Sequence, residues 1–125
     1  MCIIGKINRS IYKCITKDIA TDEVILTNER KAHIIQRRGK DFFGKYSLHF
    51  NDIITNPDYI FKNQENTVLV CKKILSDGKY INIVLRLVIP ADNPKYKNSI
   101  ITAVGENEKR FQQRLRNNVP LYKRT

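Results

Sequence analysis

Arg30, His33 and Arg37 follow the three- and four-residue spacing that aligns side chains along one face of an α-helix, within the stretch TNERKAHIIQRR, Thr27 to Arg38. At about 100° per residue the three fall within about 60° of one another, forming a single stripe. Ile34 borders the stripe, while Ala32 and Ile35 lie on the far side and are expected to pack. A histidine between two guanidinium groups suits the cleavage of a phosphodiester. Imidazole changes protonation near neutral pH and can move a proton. Arginine grips phosphate with a planar fork and stabilises negative charge as it develops on the phosphoryl oxygens. A solvated basic face carrying a histidine that caps or packs fits the same spacing, and spacing alone leaves both readings open. The chain has only two histidines. The other, His49 in YSLHFNDII, has aromatic and aliphatic neighbours that favour a buried structural role.

A second set of candidates comes from strand alternation. Lys72 in TVLVCKKIL shares a face with Val68 and Val70, and Arg86 in YINIVLRLVI shares one with Asn82. In KNSIITAV, Thr102 shares its face with Asn98, Ile100 and Val104. Residues two apart on a strand project to the same side, so a lysine, an arginine and a hydroxyl from adjacent strands would make a cationic floor. Each also has an ordinary structural use: threonine favours strands, lysine stems lie along apolar surface, and an arginine on an open sheet face is common. The candidate catalytic set is His33, Arg30, Thr102, Lys72 and Arg86, with Arg37, Arg38, Arg110 and Arg114 as candidate substrate contacts.

The charge balance points to a polyanionic partner. Twenty-three Lys and Arg against twelve Asp and Glu give a net charge of +11. Phosphate contacts supply most of the non-specific affinity for nucleic acid, so nucleic acid is the first candidate partner, although a cationic surplus also keeps a small protein soluble. Glu29, Asp41, Asp52, Asp58 and Asp92 show no D-x-D or paired spacing of the kind that holds two metals. There is no glycine-rich phosphate loop and no G-x-S-x-G nucleophile turn. Cys2, Cys14 and Cys71 are widely spaced, which argues against a zinc site or a disulfide framework and for reduced thiols in a cytoplasmic setting. No metal or other cofactor is expected. MCIIGKINRS lacks the apolar stretch of a signal peptide, and no run is long enough to span a membrane, so no membrane partner is expected.

These residues need elements to hold them. At 125 residues the chain reads as one domain, 1–125, with an N-terminal extended arm over 1–20 and a core over 21–122. In the arm, CIIGKI and IYKCIT predict a hairpin or irregular extended segment. DEVILT, 22–27, predicts a short strand or an extended lead-in. Thr27 or Asn28 can then cap a helix that Glu29 favours and Gly39 ends. DFFGKYSLHFNDIITNPDYI predicts one or two short helices closed at Asn56-Pro57. The period then changes to two. Strands are expected over 67–75, 80–89 and 97–104, with a tight turn at SDGK and a loop at 90–95. Ile81, Ile83, Leu85, Leu87 and Ile89 must face a covering layer. ENEKRFQQRLRN, 106–117, predicts a basic helix anchored by Phe111 and Leu115. The order implies an α+β fold: N-terminal helices packed on one face of a small antiparallel meander, then a C-terminal basic helix, with the other sheet face partly open.

In this order and spacing the motifs resemble the phage-associated barnase–EndoU–colicin–RelE-like nuclease domains of prophage proteins and polymorphic toxin C-termini. Leu26, Thr27, Glu29 and Arg30 match the family's "l-T-x-E-R", and His33, Ile34 and Arg37 match its "H-I-x-x-R-H". Pro57, Asp58 and Ile60 match a "P-D-x-I" element, and Ile100, Ile101, Thr102 and Ala103 match an "i-i-T-a" strand. The similarity runs from about Thr21 to Tyr122. It implies a metal-independent ribonuclease, often acting on tRNA, in which a 2′-hydroxyl attacks the adjacent phosphate and leaves a 2′,3′-cyclic phosphate. It also implies a toxin or prophage-encoded setting, with an immunity protein or antitoxin as a candidate partner. By position His33 is the acid or base, and Arg30 and Thr102 contact substrate. Arg38 stands where the family has a second histidine, so a two-histidine mechanism through this helix is not available. The competing expectations are a non-catalytic nucleic-acid-binding phage protein and an inhibitor that binds a host protein.

Overall fold

Aliphatic residues alternating with polar ones through the second half of the chain build the sheet, and the apolar faces of the preceding helices close over it. The computed structural model describes residues 2–15, 19–64, 66–88 and 96–124. Strands β1 (Cys2–Lys6), β2 (Glu23–Leu26), β3 (Tyr59–Lys62), β4 (Thr67–Ile74), β5 (Lys79–Arg86), β6 (Asn98–Glu106) and β7 (Tyr122–Lys123) form one seven-stranded sheet in the order β1-β2-β6-β5-β4-β3-β7. The helices are α1 (Arg9–Tyr12), α2 (Asn28–Arg38), α3 (Lys40–Tyr46), α4 (Phe50–Thr55) and α5 (Glu108–Asn117), with a 3-10 turn at Ser47–His49 between α3 and α4. This is the α+β class expected from the sequence.

The sheet is larger than the expected meander and of a different kind. Strands β3 to β6 are antiparallel neighbours, but β2 joins β6 in parallel, so the sheet is mixed. β3 and β7 were not anticipated. The N-terminal arm is also not a simple hairpin. β1 pairs with β2, and Asn8 then accepts a hydrogen bond from the Ser10 amide at 2.9 Å, starting the helical turn of α1 where an extended IYKCIT was expected. Tyr12 is fully buried and its hydroxyl donates to the Ile54 carbonyl at 2.7 Å, which fastens the arm to α4. β1 runs so close to α4 that a Cβ on Gly5 would collide with the Asn51 amide. The loop expected at 90–95 and Ile89 lie outside the described residues.

Two apolar clusters hold the layers. On the inner face, Val68 and Val70 of β4, Ile81, Ile83 and Leu85 of β5, and Ile100 and Ala103 of β6 pack beneath Ile34, Tyr46, Phe50, Ile53 and Ile54. Burial of each such side chain is worth about 1.5–3 kcal/mol. On the outer face, Phe61, Leu69, Cys71 and Tyr80 pack against Phe111 of α5. Phe111 stacks on Tyr80 with centroids 3.7 Å apart and rings 4° from parallel. Helices α2 to α4 therefore cover one face and α5 covers part of the other.

Candidate nucleic-acid interface

α2 begins and ends where its sequence requires. The Thr27 hydroxyl accepts the Arg30 amide at 3.2 Å, and Gly39 takes φ 98°, a left-handed turn that suits glycine and starts α3. Its packing direction differs from the expectation. Ile34 is fully buried and Ala32 is exposed, so the helix turns Ile34, rather than Ala32 and Ile35, to the core.

Taking Ile34 as the inward direction, Lys31 and Ile35 fall about 60° and 100° to one flank, and Arg30, Arg37 and His33 fall about 40°, 60° and 100° to the other. The Lys31 ammonium stands 5.5 Å from the centroid of Phe43, which identifies the first flank as the α3 side. The Arg30–His33–Arg37 stripe lies on the flank turned away from α3. Arg30 and Arg37 are exposed and His33 is half-buried. Among the described residues no hydrogen bond or ion pair engages the His33 ring.

α2 packs against β6 beyond the point where β2 leaves it. β2 pairs with β6 only at Asn98 and Ser99, and Arg38 Nε donates to the Ala103 carbonyl at 3.1 Å. A helix and a guanidinium thus cover a strand edge that would otherwise present unpaired backbone groups. This bond gives Arg38 a structural task that the sequence did not reveal.

Thr102 and Arg86 face outward. A bulge shifts the β5–β6 register between Val84 and Leu85, so Ile83 pairs with Ala103, Val84 with Thr102 and Leu85 with Ile100. The extra residue returns Ile100 to the inner core and leaves Thr102 on the outer face, which corrects the expectation that Thr102 and Ile100 share a side. The Thr102 hydroxyl is buried without a hydrogen-bond partner. Arg86 is exposed, opposite Thr67 on one side and Ser99 on the other. Both residues lie on the sheet face opposite the layer of α2, α3 and α4.

Lys72 does not join them, which corrects the proposed cationic floor. It pairs with Ile81 and so projects to the inner side. There its ammonium donates to the Asn56 carbonyl at 2.7 Å, with Asp52 at 3.8 Å and Asp58 at 3.9 Å. Its side chain is only 13% exposed, so Lys72 serves to fasten the end of α4.

The two candidate arginines of α5 differ. Arg110 is exposed and lines a shallow recess with Gln113, Asn117 and Asn118. Arg114 makes a bidentate pair with Glu106, both contacts at 3.0 Å, and Glu106 also accepts from the buried Asn82 amide. Sequence reasoning missed this carboxylate because Glu106 was read as the start of the helix. Its place two residues beyond Val104 in the same alternation was the available signal. Half-buried His49 lies in the 3-10 turn. Among the described residues no three His, Cys, Asp or Glu side chains come close enough to hold a metal. None of the described helices is long and apolar enough to cross a membrane. No protein-family model, curated protein or solved structure matches the chain.

Proposed function

We propose that this protein is an RNA endonuclease that works without a metal ion and is centred on His33. The observation that carries the reading is the Arg30–His33–Arg37 stripe itself, with both arginines exposed and His33 half-buried between them. The helix-then-sheet resemblance and the net charge of +11 support it. In the reaction, imidazole takes the proton of a ribose 2′-hydroxyl while the 2′-oxygen bonds to the adjacent phosphorus. The bond to the 5′-oxygen breaks, that oxygen takes a proton from water, and a 2′,3′-cyclic phosphate remains. Arg30 and Arg37 bind the non-bridging oxygens and stabilise the charge they gain. Arg86 offers a further cation on the outer sheet face, Thr102 with its buried hydroxyl makes no substrate contact, and Arg38 holds α2 in place through Ala103.

Purified protein incubated with total tRNA in EDTA is expected to give fragments ending in 2′,3′-cyclic phosphate. The His33→Ala variant is expected to lose on the order of 10²-fold or more of that activity. Intact RNA at high protein concentration overturns the reading.

One observation favours a second reading, a module that binds RNA without cutting it. Arg38 occupies the second-histidine position and is engaged with the Ala103 carbonyl at 3.1 Å, so the helix offers no second proton donor. Salt-sensitive RNA binding with no cleavage selects that reading.

A further inference from the structure

We infer that the cavity between β1, the start of α2 and the α3–α4 corner is a pocket for a single nucleobase, with Lys31 placed to meet the phosphate attached to it. The inference rests on the RNA reading above and deepens it by naming a substrate contact outside the His33 stripe.

The cavity has a volume of about 300 Å³ and lies on the α3 flank of α2. Ile4, Leu26, Phe43 and Phe50 line its apolar part. Phe43 meets Phe50 edge-on, with centroids 6.0 Å apart and rings at 88°, and Phe50 is fully buried. This fixed partner holds the half-buried Phe43 ring as one wall. A planar base gains contact energy from such a wall, because any nucleobase presents a π-face that tolerates aromatic neighbours.

The rim is polar. Asn28 and Ser47 bring an amide and a hydroxyl, each able to donate and accept. A hydrocarbon tail would desolvate the Ser47 hydroxyl and the Lys31 ammonium without giving them partners, at a cost; a nucleotide supplies partners to both. Lys31 stands at 5.5 Å over the Phe43 ring, with its charge beside the aromatic wall. A base against Phe43 therefore has its phosphate near an ammonium. Lys31 also adjoins Arg30 in the chain, so the next phosphate along the strand is led toward the opposite flank of α2. A fully paired base cannot enter such a pocket, so the substrate is RNA with at least one unstacked nucleotide.

Cys2 lines the cavity and provides the readout. The described cysteines are exposed Cys2 and Cys14 and buried Cys71, so a Cys14→Ser protein leaves one accessible thiol, at the pocket. The rate of its alkylation by iodoacetamide is measured with each of the four ribonucleoside 5′-monophosphates, with inorganic phosphate and with octanoate. At least one nucleotide is expected to slow the reaction several-fold, while phosphate and octanoate leave it unchanged. Phe43→Ala is expected to abolish the protection. Because Phe43 packs against the core, Lys31→Glu, a change at an exposed position, is the second test. It is expected to raise the nucleotide concentration for half-protection about tenfold, the loss of one charge-assisted contact. The inference is overturned if no nucleotide protects at millimolar concentration, if phosphate alone protects equally, or if octanoate protects and nucleotides do not. None of these measurements requires cleavage. Protection without RNA cutting would leave the pocket standing and remove the endonuclease reading.

Discussion

α2 and α5 look alike in the sequence and behave differently in the fold. Both are basic, both open on a capping side chain, and both carry two arginines in the last turn. α5 is anchored through its aromatic and its charge: Phe111 stacks on Tyr80, and Arg114 is tied into the Glu106–Asn82 cluster. α2 is anchored by one buried isoleucine and by Arg38 on a strand edge, and its other cations are left facing solvent. A count of positive charges therefore overstates the free cationic surface of α5 and describes that of α2 more fairly. What separates the helices is which guanidinium groups are already engaged.

The largest effects should come from removing the anchors. Phe111→Ala is expected to cost about 3–5 kcal/mol, because a fully buried ring leaves both its contacts and a cavity behind. Ile34→Ala is expected to cost about 2–5 kcal/mol by the same mechanism. Urea denaturation of each variant checks both. A loss below about 1 kcal/mol for Phe111→Ala would mean that α5 is not docked as described. Next in size is Glu106→Gln, which removes the charge that Arg114 and Asn82 share. A loss of about 1–3 kcal/mol is expected, toward the lower end because the Arg114 side chain is 31% exposed and water replaces part of the pair. An unchanged urea midpoint would show that the cluster is not what holds α5.

Arg38→Ala and Arg37→Ala compare neighbouring residues of one helix. The first strands the Ala103 carbonyl at the β6 edge and is expected to cost about 1 kcal/mol. The second removes an exposed side chain and should stay within about 0.5 kcal/mol. Equal stability for the two variants would break the distinction between an anchoring and a free arginine on α2.

The limits of α2 were legible because a capping threonine and a terminal glycine act locally, on the residues beside them. Its packing direction was not, because adjacent Ile34 and Ile35 let the same sequence turn either side inward. The β6 edge and α3 decide between them, and both are set by distant parts of the chain. The apolar alternation of β5 gave the inner face correctly from Ile81 to Leu85. In β6 it failed at Ile101, where the bulge adds a residue without a glycine or proline to announce it. YIFK was too short to show a period, so β3 went unseen. Lys72 was assigned its side correctly, alongside Val68 and Val70, but that side is the covered one, and the carboxylates that engage it come from α4 and the turn before β3. Of the candidate site, the helical stripe was legible because it depends on spacing within one element. The sheet contribution depended on register between strands and was legible only in part.

The finest test of the comparison uses salt rather than stability. Each guanidinium that neutralises a phosphate releases counterions, so the slope of log K against log salt falls by about 0.7 to 0.9 when one such contact is lost. Arg37→Gln removes an unengaged arginine from the α2 stripe and should lower the RNA-binding slope by about that amount while leaving the urea midpoint almost unchanged. Arg114→Gln removes an arginine already neutralised by Glu106, so the slope should hold while stability falls. Filter binding of tRNA across about 50–200 mM salt, alongside urea melts of the same proteins, reads both quantities. A lowered slope for Arg114→Gln would mean that the Glu106 pair opens to let the arginine reach phosphate. α5 would then belong to the RNA surface as fully as α2, and the distinction between the two helices would collapse.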